Sequence, residues 1–424
     1  MKKYQVLSIS TAFVMVVGML SGCSGNANRE LDYIDTSELA TFSKPNIPPI
    51  VFGESDSMGI DFSTNKGEDI SNWANNSFSS ADNSITNSSS ANTEFAVPTS
   101  GDYYSATTEI MEYDAEKVKS VILGNVAVTN NTITYPDRAP IYVWNYEDKE
   151  LYVSNDNACV DYTSSLSTSI NIIFEPPAQE NDGNAKKFPH IGDDLDFCTR
   201  SEAAKFVSNT LLNLGVSVSE EVDIYALCQG DMQAVVDEEC AKGEFYQFDS
   251  EWQRIPVDSY TVRKNQECYY MVFNAEWSGV PIYNDTLYYM TIKDLAIFHP
   301  TITAIYSADG IAELRISEYR SIVGQGEKIT HLISPETAAQ AVGEKYKDVV
   351  GMEEISFDKM SLMYVLTPYS ENGKIVSYKT NMIPAWVCTI KMTEYTYDRE
   401  TGTQAPVTSY TNILIDAQTG LEII

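Results

Sequence analysis

Residues 198–215 read CTRSEAAKFVSNTLLNLG, and 135 residues further on residues 333–351 read ISPETAAQAVGEKYKDVVG. In the first stretch Thr199 is followed three residues later by Glu202, a capping box in which each side chain serves the other's backbone amide. Ala203, Phe206, Val207 and Leu211 recur at helical spacing, and Gly215 supplies the stop. In the second, Ser334 is the cap, Pro335 takes the first helical position, and Ala338, Ala339, Val342 and Tyr346 form the corresponding face. Two helices that start alike predict two units built alike.

The segments downstream of the two helices agree. After the first come VDIYALC (222–228), a polar insertion holding the helix DMQAVVDEECAKG (231–243), the hairpin ECYYMVFNAEWSGVPIYND (267–285) turning at Ser278-Gly279, and TAIYSADGIAELRIS (303–317). After the second come SLMYVLTP (361–368), MIPAWVCTIKMTEY (382–395) and TNILIDAQTGLEII (411–424). Both copies close on a strand, a turn built on Asp and Gly, and another strand. The expected fold is α+β, with tandem modules at 197–320 and 328–424, each a helix packed on an antiparallel sheet. Such units are common enough that chance likeness is the competing reading.

SPETAAQAVGEKY and the closing ILIDAQTGLEI resemble the helix and terminal hairpin of PepSY-like domains, and YYMVFNAEWSGVPI is similar to the hairpin of an aromatic strand, Gly and Val-Pro in the same superfamily. The layout also resembles YycI-like regulators and Firmicutes lipoproteins built on related modules. The likeness runs from Thr199 to Ile424 and implies binding or inhibition of proteins at the cell envelope. It offers no catalytic signature, and the insertion at 229–243 departs from it.

Upstream, YDAEKVKSVILGN (113–125) has Val118, Val121 and Ile122 at helical spacing. IYVWNYEDKELYVS (141–154) reads as a hairpin about Glu147-Asp148-Lys149, and SINIIFEPP (169–177) as a third strand. These predict an N-terminal α+β module over 105–180, with QENDGNAKKFPHIGDD (179–194) as a linker.

The chain opens with Lys2 and Lys3 before an apolar run from Val6 to Leu20, the length of a signal-peptide core rather than a membrane span. Leu20-Ser21-Gly22-Cys23 then resembles the lipobox of bacterial lipoproteins, which implies a signal peptide at 1–22, acylation of Cys23 and a body on the outer face of the cytoplasmic membrane. More than one acyl chain makes such an anchor stable. Residues 23–104, with SNWANNSFSSADNSITNSSSANTE at 71–94, bury too little apolar surface to fold and are expected to be a disordered tether about 50 Å from end to end. The alternative is that PNIPPIVFGESDSMGIDF (45–62) contributes a docked strand.

The chain holds 28 basic and 60 acidic residues, and loss of Lys2 and Lys3 leaves 26 against 60, a net charge of −34. Such a surface repels phosphate, so nucleic acid is excluded as a partner and the body stands off an anionic bilayer. Chemistry is sparse. His190, His299 and His331 lie without ligand spacing in the chain, so neither a metal nor a cofactor is expected. Gly324-Gln325-Gly326-Glu327-Lys328 lacks the length of a phosphate loop and reads as a surface turn. Cys159, Cys198 and Cys388 act as nucleophiles only if a His approaches them in space. Asp193, Asp194 and Asp196, with Asn181 and Asp182, form a weak calcium pattern against a solvated linker. Trp277 and Trp386 serve either as stacking platforms or as core. With six cysteines after Cys23, none to two disulfides are expected. The favoured function is a non-enzymatic envelope protein that binds a protein or peptide. Its rivals are a wall-directed hydrolase using paired carboxylates and, last, a solute-binding component, disfavoured by the few βα alternations.

Overall fold

The computed structural model describes residues 33–35, 94–96, 102–136, 138–174, 187–248, 253–284, 290–292, 295–346, 354–372, 374–397 and 404–423. In chain order the main elements are β1 (Tyr103–Ile110), α1 (Ala115–Leu123), β2 (Arg138–Tyr146), β3 (Lys149–Ser154), β4 (Cys159–Ser164), α2 (Ser165–Ile173), α3 (Arg200–Leu214), β5 (Val218–Leu227), α4 (Gln229–Lys242), β6 (Cys268–Trp277), β7 (Thr301–Ser307), β8 (Gly310–Ser317), β9 (Arg320–Ile329), α5 (Pro335–Tyr346), β10 (Glu354–Glu371), β11 (Lys374–Tyr397) and β12 (Gln404–Asp416). The class is α+β, with a large share of antiparallel strand.

The first sheet runs β5–β6–β7–β8–β4–β3–β2, with short strands at Thr129–Asn130 and Ile133–Tyr135 on its far edge. It does not stop at the expected boundary between an N-terminal module and a module starting near residue 197. β4 pairs with β8 through Tyr162↔Leu314, Asp161↔Arg315 and Val160↔Ile316, so strands from both regions share one ladder. Each half-sheet would otherwise present an unpaired edge; joining the two satisfies both rows of backbone groups.

The second sheet runs β9–β1–β11–β10, with Glu94–Ala96 added in parallel to Lys359–Ser361. β12 extends the ladder along Ala385–Tyr397 of β11, beyond the point where β1 pairs with Lys379–Met382. Tyr33–Asp35 pairs antiparallel with His331–Ile333. Three pieces of the expected tether, counting Tyr103-Tyr104 in β1, therefore belong to the folded body, because backbone pairing with an existing strand needs no apolar composition of its own. Residues 45–62 lie outside the described residues.

Local chemistry explains the elements. α3 begins at Thr199 with the reciprocal Glu202 cap and ends at Gly215 in the left-handed conformation, as read from sequence. Its buried face is Ala203, Val207, Leu211 and Leu214; Phe206, expected inside, is half-exposed and packs at the rim against Tyr306, with ring centres 5.2 Å apart. Ala338, Ala339 and Val342 of α5 are buried as expected. The hairpin turn between Trp277 and Val280 has positive φ at both Ser278 and Gly279, the twist that a two-residue connection requires.

Two readings of local structure are corrected. Ser165–Ile173 is helix, not strand: Ser164 caps it in a box with Ser167, and Ser167, Ile170 and Ile173 fall on one buried face. The third strand comes instead from Cys159–Ser164, just upstream. The segment read as a linker is also packed where it is described. Phe188 sits in a core with Ile170, Phe174, Met232, Val235 and Val236, meeting Phe174 edge-on at 5.3 Å.

Candidate functional site

The structure offers three places where chemistry-bearing residues converge. The first is a cavity of ≈ 310 Å³ lined by Ser105 and Thr107 of β1, Gly324, Gln325 and Gly326 of β9, and Thr367, Asn381 and Ile383 of the long hairpin. Its origin is in the backbone. β9 pairs with β1 at Ile322↔Thr108, Gly324↔Thr107, Gln325↔Ala106 and Lys328↔Tyr104, so Val323 is one extra residue in the ladder, and Gly326-Glu327, two residues opposite Ser105, bring in a second. Bulges of this kind twist an edge and re-aim its side chains.

The Gly-Gln-Gly stretch is thus a bulged edge strand and not the surface turn expected from sequence. A Cβ on Gly326 would collide with the Ser105 hydroxyl and come within 3.0 Å of the Ser105 carbonyl oxygen. Gly326→Val is therefore expected to cost about 1–3 kcal/mol of stability through strain between β1 and β9. Chemical denaturation checks this, and an unchanged midpoint contradicts it.

Nearby, Lys379 bonds Glu109 at 3.1 Å and lies 5.8 Å and 5.6 Å from the ring centres of Tyr369 and Tyr378. The cation lies over two aromatic rings, of which Tyr378 is exposed. Val323 stands 52% exposed on the edge strand itself.

The second place is the seam of the first sheet. Glu313 is fully buried; its Oε2 accepts from Asn171 Nδ2 at 2.7 Å and lies 3.2 Å from Arg315 Nη2. Arg315 Nε is 3.4 Å from Asp161 Oδ1. Burial raises the pKa of both carboxyls, and the Arg315 guanidinium works against that rise. A glycan hydrolase uses one carboxyl of raised pKa as acid beside a second that stays ionised, whereas burial raises both of these. Here one guanidinium contacts both of them, and Glu313 has no exposed surface.

The third place joins His190, Cys228 and Asp231. Their ligand atoms lie within 4.8 Å of one another, although spacing along the chain leaves each histidine isolated. His190 comes from the loop before α3, whereas Cys228 and Asp231 open α4, so only the fold brings them together.

The remaining sequence candidates are dispersed. Asp194 accepts the Arg200 amide at 2.9 Å and Asp196 bonds Lys264 at 2.8 Å; these carboxylates serve a helix start and a lysine, which removes support for the calcium pattern. Asn181 and Asp182 lie outside the described residues, as does Cys23. His299 packs edge-on to Tyr283 at 5.1 Å, and exposed His331 meets Thr330. The six described cysteines are free thiols. Burial pushes Cys159 up to about 11 and raises Cys198 and Cys388 too, the opposite of the shift a thiolate nucleophile needs. Trp386 is core. Trp277 lies between Tyr104 and Tyr364, at 6.0 Å and 5.2 Å.

Comparison with known proteins adds fold without function. No family model and no curated protein matches the chain. Among solved structures it is similar to an uncharacterized protein from Eubacterium rectale ATCC 33656. The TM-score is 0.57 at 17% identity, over 80% of this chain and 92% of that one. The two share a fold.

Proposed function

We propose that this chain is a lipid-anchored, extracytoplasmic binding protein without catalytic activity, held through Cys23 and engaging an extended segment of an envelope protein or peptide. The observation that carries this reading is the β9 edge. β9 pairs only with β1 among the described residues, exposes nearly all of Ser321–Lys328, and borders the cavity of ≈ 310 Å³. An incoming strand would gain main-chain hydrogen bonds from the edge and side-chain selection from the cavity. The two bulges interrupt the regular ladder, which guards against indiscriminate pairing of one copy with another.

The same proposal takes α3 with β5–β8, and α5 with β10–β12, as two versions of one PepSY-like unit. The matching order of helix and antiparallel strands supports it, as does the closing contact of each: Ser307↔Gly310 in the first, Ile415↔Glu422 in the second. α4 is the insertion peculiar to the first.

The test places a photo-crosslinking amino acid at position 323 in the full-length, membrane-anchored protein, with position 212, also exposed but on α3, as control. A discrete crosslinked product from 323 and none from 212 is the expected result. Identical products from both positions, or turnover of a wall glycan or peptide by the purified chain, would overturn the reading.

A further inference from the structure

His190, Cys228 and Asp231 are held in place before any ligand arrives. Asp231 is 5% exposed, and both its oxygens are engaged by one residue: Oδ2 accepts the His190 backbone amide at 2.9 Å, and Oδ1 meets His190 Nδ1 at 2.8 Å. The imidazole is therefore pinned at the start of α4 while its side chain stays 60% exposed. Cys228, the residue before the helix, is partly buried beside it. The loop carrying His190 is anchored by Phe188, and α4 by Met232, Val235 and Val236, in the same hydrophobic core. The backbones that present the three side chains are thus fixed relative to each other.

The donor set is one nitrogen, one sulfur and one oxygen. Calcium and magnesium select oxygen ligands, whereas zinc takes this mixture. We propose that His190, Cys228 and Asp231 bind a single divalent ion of the zinc class, leaving a fourth position to water. Bond lengths of about 2.0–2.3 Å require tetrahedral ligand atoms to lie about 3.3–3.8 Å apart. Atoms already within 4.8 Å reach that spacing by side-chain rotation, with the His190–Asp231 contact opening slightly.

Charge balances as well. On binding, the Cys228 thiol gives up its proton to solvent, and the resulting thiolate and the Asp231 carboxylate together neutralise the dication. The ion therefore competes with protons and binds less well in acid. Once bound, it would clamp the His190 loop to α4, the helix without a counterpart in the second half.

The test uses the purified full chain stripped with a chelator and titrated with Zn²⁺ in equilibrium dialysis, and separately with Co²⁺ as a spectroscopic probe. One Zn²⁺ per chain and a near-ultraviolet thiolate-to-cobalt charge-transfer band are expected. Cys228→Ser should abolish the band, and His190→Ala should weaken Zn²⁺ binding by about tenfold or more. His190→Ala also takes a hydrogen-bond partner from buried Asp231, so the unfolding midpoint is read with and without Zn²⁺: lost ligation removes the Zn²⁺-dependent rise, whereas lost fold lowers the midpoint in chelator as well. Absence of the band in the parent protein, or Zn²⁺ affinity unchanged in both variants, would overturn the proposal.

Discussion

Replacing Trp386 with alanine is expected to lower the stability of the body by about 3–5 kcal/mol. The indole is fully buried in β11, and its Nε1–H donates to the Ile333 carbonyl at 3.1 Å. Ile333 in turn lies in the short strand that pairs with Tyr33–Asp35 and directly precedes the cap of α5. Truncation therefore opens a large cavity and also leaves a buried carbonyl without that donor. Trp386→Phe refills most of the space and loses the hydrogen bond, so its cost should be nearer about 1–2 kcal/mol. Urea denaturation of the three proteins tests the order. If Trp386→Ala and Trp386→Phe unfold together with the parent, the assignment of this residue to the core fails.

Arg315→Met is expected to cost about 2–3 kcal/mol at neutral pH, somewhat below the figure for breaking a fully buried ion pair because Arg315 is half-exposed. The substitution leaves Glu313 buried and charged without its cation. The pH dependence has a definite sign. Burial raises the folded-state pKa of Glu313 above its ordinary 4.5, so the folded state holds this proton more tightly than the unfolded state. The stability contributed by this group is full below pH about 4.5 and is lost as pH rises through the folded value. Without Arg315 the folded value rises further and the loss grows. The cost of Arg315→Met should therefore shrink as pH falls toward about 4.5, and Glu313→Gln in the same chain should recover much of it. A cost that is independent of pH, or not relieved by Glu313→Gln, would show that Arg315 is not the counter-ion of Glu313.

Trp386 and Arg315 also mark how far the fold is legible in the sequence. α3 is legible because its signals are local: Thr199, Glu202 and Gly215 cap it at both ends, and its apolar residues repeat at helical spacing. α2 reads wrongly as strand although its signals are local too. The run Ile170 to Phe174 carries strand-forming side chains, and these mask Ser164 and Ser167, whose reciprocal hydrogen bonds start a helix. The junction of β4 with β8 is invisible because no residue near Asp161 encodes its distant partner Arg315; only the requirement that edge strands find partners does so. Gly326 misleads, since a glycine needed for a turn and one needed for close approach to Ser105 look the same in sequence. His190, Cys228 and Asp231 carry no pattern at ligand spacing, because two different elements deliver them. Cys23 rests on the four residues Leu20 to Cys23 and their context, outside the described residues.

The location of the whole molecule hangs on that last residue. Intact-mass and N-terminal peptide mass spectrometry of the protein isolated from native membranes measures it directly. The expected spectrum shows a chain beginning at Cys23 and carrying a diacylglyceryl group, with no peptide from residues 1–22. A retained leader, or a mature first residue other than an acylated Cys23, would contradict a body tethered to the outer face of the membrane.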